Sequence, residues 1–183
     1  MTGPTRKKVL SIEEVEGALD EIAALAARHQ IRVVLVGGVA LQMYGGDRFT
    51  ADVDFAASSA LSELVPERPL SFGGYQSHTT GGVPVDWILR DDDFAAVFDE
   101  ALDFPQRIDG VSVNVATPEY LVIMKMIAGR PRDVLDIETL LGLGVVDLDK
   151  ARSIAKRLLG AFAEKTLLGI IEVAEWKRSR EAK

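Results

Sequence analysis

Two carboxylates, Asp52 and Asp54, stand two residues apart in a run from Thr50 to Ala56 that reads as a β-strand. Residues at i and i+2 of a strand share a face, so both side chains project together. Two like charges on one face repel, and a buried strand carries them at a cost unless a cation joins them. Mg²⁺ suits that role, because it takes oxygen ligands and is commonly held by one or two carboxylates plus substrate phosphates. Upstream, Gly37 and Gly38 end an apolar run and open a short helical segment. The free N–H groups at such a helix start, with the helix dipole behind them, favour phosphate. Glycine lets the phosphate come close to the backbone. The stretch from Val33 to Phe55 therefore carries both halves of a metal–triphosphate site.

The elements that must hold these groups follow from the same stretch and its neighbours. Ile31 to Val36 is a β-branched and leucine run that reads as a buried strand, followed by a helix from Val39 to Tyr44 that Gly45-Gly46 closes. Before it, Ser11 and Glu14 form a capping box for a helix from Ser11 to Arg28. That helix turns Val15, Ala18, Leu19, Ile22, Leu25 and Ala26 to one face, which packs on the sheet. After Asp54 comes a helix-compatible segment near Ala60, then a loop through Pro66 and Pro69. Phe72 to Leu89 reads as a hairpin interrupted at Gly81-Gly82. Its second strand carries one acid, Asp86, with Val85 and Trp87 pointing the opposite way into the core.

Asp91-Asp92-Asp93 precedes an apolar-periodic run (Phe94, Val97, Phe98, Ala101, Leu102) and reads as a helix start, not a metal site. The alternation in Arg107 to Ala116, with a turn at Asp109-Gly110, reads as the last strand or hairpin of the sheet. Thr117-Pro118-Glu119 starts a helix that ends at Gly129, with Thr117 as its cap. Pro131 opens another to about Leu141, and Leu148 to Phe162 and Glu164 to Trp176 read as two amphipathic helices.

Val36-Gly37-Gly38, thirteen residues, then Asp52-Val53-Asp54-Phe55 resembles the polymerase-β-like nucleotidyltransferase superfamily. Its signature is an apolar residue, Gly and Gly or Ser, a spacer, then Asp, apolar, Asp or Glu, apolar. The local form Arg48-x-Thr50-x-Asp52-x-Asp54 is most similar to the abortive-infection (AbiEii) type and its small relatives. So is Lys125, on a helix ahead of the Arg130-Pro131-Arg132-Asp133-x-x-Asp136-Ile137 run. The resemblance covers roughly residues 30–141, and the chain is shorter than many abortive-infection toxins.

The resemblance implies an α/β (α+β) fold, a mixed sheet flanked by helices with a C-terminal helical cap. On that reading residues 1–116 form the nucleotidyltransferase core and 117–183 the helical segment packed on it. It also implies a third carboxylate on the strand after the D-x-D strand, the position of Asp86. Asp52 and Asp54 would bridge two Mg²⁺ ions, and Asp86 would hold the metal that activates the acceptor hydroxyl and take its proton. Gly37, Gly38 and Thr50 would orient the triphosphate of an NTP substrate, while Arg48 and Lys125 neutralise its charge. Arg130, Arg132, Asp133 and Asp136 read from the residues as a salt-bridged helix face, whereas the resemblance implies that one of the two aspartates orients the site.

Composition bounds the rest. The chain has 183 residues, no cysteine and 48% hydrophobic residues, enough for one packed domain without disulfides or thiolate chemistry. No apolar run reaches the roughly 18 residues of a membrane span, and the N-terminal basic cluster runs at once into acids, unlike a signal peptide. A cytoplasmic enzyme with no membrane partner is the expectation. The net charge of −7 is uneven: Arg6, Lys7 and Lys8 lead, residues 150–183 carry nine basic against four acidic groups, and the part between carries nine against twenty-four. Such an acidic body is a poor general binder of nucleic acid, and the basic tail reads as a solvated helix face.

The function expected is Mg²⁺-dependent transfer of a nucleoside monophosphate from an NTP to a hydroxyl of RNA or tRNA, of a protein or of a small molecule. The AbiEii likeness adds a toxin role with an antitoxin partner. The alternative is a non-catalytic nucleotide-binding, antitoxin or regulatory module with the same fold. A Rossmann-type dinucleotide binder fails, because Gly37-Gly38 lacks the G-x-G-x-x-G pattern and the acids follow the turn too soon.

Overall fold

Val53 and Phe55 on one strand, and Val85 and Trp87 on another, are wholly buried, while Asp54 and Asp86 between them face the other way. This alternation is what a half-buried sheet demands. In the computed structural model, which describes residues 8–181, the elements run in this order. First come α1 (Ile12–His29), β1 (Val33–Val36), α2 (Gly37–Met43), β2 (Val53–Ala57), β3 (Arg68–Pro69), β4 (Gly74–His78) and β5 (Pro84–Ile88). Then follow α3 (Ala95–Asp103), α4 (Pro118–Ala128), α5 (Pro131–Gly142), α6 (Leu148–Leu159) and α7 (Ala161–Glu181). The five strands form one mixed sheet in the order β1-β2-β5-β4-β3, in which only β2 and β5 run parallel. A mixed α+β architecture is thus what the residues build. Arg6 and Lys7 of the N-terminal basic cluster, and Lys183 of the basic tail, lie outside the described residues.

The helix read from Ser11 onward forms with its capping box: the Glu14 N–H donates to Ser11 Oγ at 3.2 Å and the Ser11 N–H to Glu14 at 2.8 Å. All six residues of its apolar face are buried. The hairpin around Gly81-Gly82 is also present as β4 and β5, paired Tyr75↔Trp87 and Gln76↔Asp86. One hydrophobic cluster extends from Val15 of α1 to Ala174 of α7, so the helices after residue 117 share the core of the sheet.

Several local readings are corrected. β2 begins at Val53 and not at Thr50, because Thr50 Oγ1 donates to the Asp52 carbonyl at 3.0 Å and folds the chain into a bend. No helix forms near Ala60. The Leu61 N–H and C=O are both taken by the Tyr75 hydroxyl, at 3.1 and 3.2 Å, so a side chain supplies what a helix ladder would. Residues 107–116 make no strand ladder. Asn114 and Ala116 bond Leu35 of β1 around a single bridge at Val115, and a second bridge joins Val115 to Gln106. The three acids 91–93 sit one turn ahead of α3, where Asp92 accepts from the Phe94 N–H at 3.1 Å. Boundaries at the C-terminal end shift to Gly160, whose φ of 88° ends α6 before Phe162.

Thr117 holds the N-cap position of α4, but its hydroxyl makes no cap bond to the helix. Its hydroxyl donates instead to Glu119 at 2.6 Å, and Glu119 is buried in the first helical turn. The same carboxylate accepts from the Asp147 N–H at 3.0 Å and pairs with Lys150 at 3.2 Å, tying the start of α4 to the start of α6. Burial alone would push its carboxyl up, but these donors together hold it below the usual range. Glu119→Ala strands a buried hydroxyl and a backbone N–H, so we expect a loss of about 2 kcal/mol, read as a lowered urea midpoint with unchanged slope.

Candidate active site

Three of the sequence-predicted acids meet in one cleft of about 410 Å³, together with Gly37, Gly38, Arg48 and Lys125. The register explains how. Val36 at the end of β1 pairs with Asp54, and Asp54 pairs in parallel with Asp86. Asp54 and Asp86 are therefore neighbours on one face, and Asp52 joins them from the bend just before β2. Gly37 follows the residue opposite Asp54 with φ +71°, and a Cβ there would fall inside the Asp54 carboxylate. Gly38 is less constrained, its Cβ meeting Thr50 Oγ1 at 3.0 Å and Thr50 Cβ at 3.2 Å, contacts that are tight without overlap. The glycine pair is thus present because the carboxylate and the bend occupy the space that side chains would need.

The acids crowd one another. Burial, then the charges of Asp52 and Asp86, push the Asp54 carboxyl up to about 6, and Lys125 and the Gly38 N–H pull it only partly back. Each flanking acid is also oriented: Gln76 Nε2 donates to Asp86 Oδ1 at 2.6 Å, and Thr50 Oγ1 approaches Asp52 Oδ1 at 3.3 Å. Among the described residues no three acidic or imidazole side chains are gathered into a ready metal cage. Mg²⁺ is usually bound by one or two carboxylates plus substrate oxygens, not by an all-protein cage. The oxygen-only donors and the raised proton affinity of Asp54 fit a hard cation at this position.

Opposite the acids lies a wall of cations. Lys125 of α4 is buried, with Nζ 2.6 Å from Asp136 Oδ2 and 3.4 Å from Asp133 Oδ1. Asp136 Oδ2 also takes Arg48 Nη1, so one carboxylate oxygen joins a cation from the loop before β2 to one from α4. Asp133 is gripped by Arg130 through Nε at 2.6 Å and Nη2 at 3.0 Å. Burial favours its neutral form, but Arg130 and Lys125 outweigh that and hold the carboxyl below the usual range. The salt-bridged face read from the residues is present in the Arg130–Asp133 pair, and both aspartates are in addition buried partners of the cleft cations. Arg130 and Arg132 stand at the mouth.

Sequence reasoning missed Gln76, and it missed a group at the far end of the cleft, where Arg90 lies against Phe72, Phe94 and Phe98. The alternation of β4 could have offered Gln76, since its pairing with Asp86 follows from the hairpin.

Two consequences are testable. Gly37→Ala combines a positive φ with overlap onto Asp54, and is expected to cost about 2–4 kcal/mol in chemical unfolding. The Asp54 carboxyl has a raised folded-state value, so its favourable contribution is present below the ordinary 3.8 and is lost as pH rises through about 6. At neutral pH its ionised form costs about 2 kcal/mol after discounting for partial exposure. Asp54→Asn should therefore be the more stable protein at pH 7.5, with the gap closing towards pH 4 in parallel urea titrations.

Comparison with known proteins agrees with the fold. Residues 13–178 match the family model described as nucleotidyltransferase of unknown function (DUF6036). An antigenic nucleotidyltransferase-like protein from Paracoccidioides brasiliensis superposes with a TM-score of 0.55 at 17% identity, covering 96% of this chain and 94% of that one. The antibiotic-resistance factor ANT(2'')-Ia superposes with a TM-score of 0.50 at 18% identity, covering 94% and 95%. At those identities the likeness is one of fold. No curated protein gives a match. The family match runs through nearly all of the elements described above, and this chain belongs to the DUF6036 family of nucleotidyltransferases.

Proposed function

We propose that this protein moves a nucleoside monophosphate from an NTP to an acceptor hydroxyl. The observation that carries this reading is the parallel register that sets Asp86 beside Asp54, on the face closed by Gly37 and Gly38. In the reaction the acceptor oxygen bonds to the α-phosphorus, the bond from that phosphorus to the bridging oxygen breaks, and pyrophosphate leaves with the electron pair. Asp86 accepts the hydroxyl proton, held in orientation by Gln76. Gly37, Gly38 and Thr50 set the triphosphate against the backbone, and Arg48 and Lys125 face the charge that builds on the leaving group. Asp136 keeps those two cations in place while cancelling only part of their charge.

Asp52, Asp54 and Asp86 would hold Mg²⁺, two ions on the family pattern, and the metal would supply charge neutralisation and a more acidic acceptor hydroxyl. The Arg48–Asp54 form and the Lys125–Asp136 run support a place near the AbiEii type, and with it a toxin role and an antitoxin partner. The acceptor is a hydroxyl of RNA or tRNA, of a protein or of a small molecule.

Incubation of the protein with Mg²⁺, radiolabelled NTPs and total cellular RNA or protein should label an acceptor and release pyrophosphate. Asp54→Asn and Asp86→Asn should each lower transfer about 1,000-fold or more, and the double variant should be little worse, since the acids act as a unit. Undiminished transfer in either folded variant would remove these roles. An NTP that gives no Mg²⁺-dependent thermal stabilisation would favour a non-catalytic module instead.

A further inference from the structure

The phosphates and acids of the proposed reaction use only part of the cleft, and the inference here rests on that reading. Past Asp86 the cleft follows β5 to Ile88, about 7 Å further at roughly 3.3 Å per residue, and is lined beyond the strand's end by Arg90. Phe72, Phe94 and Phe98 wall this arm. The Arg90 guanidinium carbon lies 5.8, 5.2 and 5.1 Å from their ring centroids. Its Nε donates to Asp92 Oδ1 at 2.9 Å and its Nη2 to Oδ2, so its charge is already answered and it is not a vacant phosphate clamp.

The direction of the arm decides what fits it. Displacement at phosphorus places the entering and leaving oxygens roughly in line. With the triphosphate at Gly38 and Arg48 and the acceptor at Asp86, that line crosses the sheet from β1 over β2 to β5. The ester oxygen that carries the nucleoside is an equatorial substituent of the same phosphorus. It departs at right angles to the line, in the plane that contains the strand direction, and within that plane the cleft is lined towards Arg90. Flat apolar rings with a guanidinium among them are the surface on which a nucleobase stacks.

We infer that the arm formed by Phe72, Ile88, Arg90, Phe94 and Phe98 takes the base of the NTP by stacking and does not read its edge. Apart from Arg90, which is committed to Asp92, Ser71 supplies the polar side chain at this end. A site of this kind selects by ring area: it favours purine over pyrimidine triphosphates and barely separates ATP from GTP.

The test is calorimetric titration of the full chain with ATP, GTP, CTP, UTP and inorganic tripolyphosphate, each with Mg²⁺. ATP and GTP should bind alike, more tightly than CTP or UTP, and about 10-fold or more above tripolyphosphate. Phe94, 38% exposed, can be changed with little strain on the core. Phe94→Ala should remove about 10-fold of ATP affinity and leave tripolyphosphate binding as it was, which also reports an intact site, while Phe94→Trp should restore ATP. Equal binding of ATP and tripolyphosphate, or ATP affinity untouched in both Phe72→Ala and Phe94→Ala, overturns the base arm and leaves the proposed reaction standing. An acceptor KM raised by Phe94→Ala with NTP binding unchanged overturns it too, by giving the arm to the acceptor. Failure of every probe to bind the unmodified protein overturns the proposed reaction itself, and the base arm with it.

Discussion

Val53 stands beside Val85, and Phe55 beside Trp87, all four closed off from water. The two rings meet at 6.1 Å. This apolar pairing is the constraint on which the acid cluster depends. Side chains alternate along a strand, so a slip of one residue would turn the aspartates into the core and the aromatics out. Burying Trp87 and Phe55 is strongly favourable, and Asp54 and Asp86 are carried to the opposite face as a consequence. The repulsion between them is thus sustained by the far side of the sheet. Trp87 is held from two directions, by packing and by its indole N–H, which donates to the Ser59 carbonyl at 2.9 Å.

The cations are arranged by a different economy. A buried lysine or arginine without a partner is costly, and a fully neutralised one would have little left to offer an anion. Asp133 and Asp136 are shared among Lys125, Arg48 and Arg130, so two negative charges are set against three positive ones. The excess faces the cleft. Pro131 starts α5 and puts Asp133 within reach of the Arg130 backbone N–H at 3.0 Å, so the helix cap and the ion network are one structure.

Much of this was legible in the residues. The glycine pair and the Asp52–Asp54 spacing identified the corner, because strand periodicity and glycine conformation are local physics. Asp86 stood out for a similar reason, as one charge in an otherwise apolar strand. The partners of Lys125 are half visible in the residues: the aspartates stand out, but Asp136 meets Arg48 across eighty-eight residues of chain, and no local pattern encodes such a meeting. The aromatic group around Arg90 was hidden for the same reason. It forms where the loop before β4 meets the start of α3, and each phenylalanine alone reads as ordinary core. The helix-compatible segment near Ala60 forms no helix because the Tyr75 hydroxyl, from a later strand, satisfies the Leu61 backbone.

Asp136 Oδ2 holds Arg48 and Lys125 at once, and it does so where water has little access. The loop before β2 and helix α4 are in effect stapled through one atom. Parting them like a hinge would expose three charges that now satisfy one another, at a heavy cost. A ligand of the cleft is therefore expected to come and go past the outer rim, by the reorientation of surface side chains such as Arg132, while the helices behind keep their places.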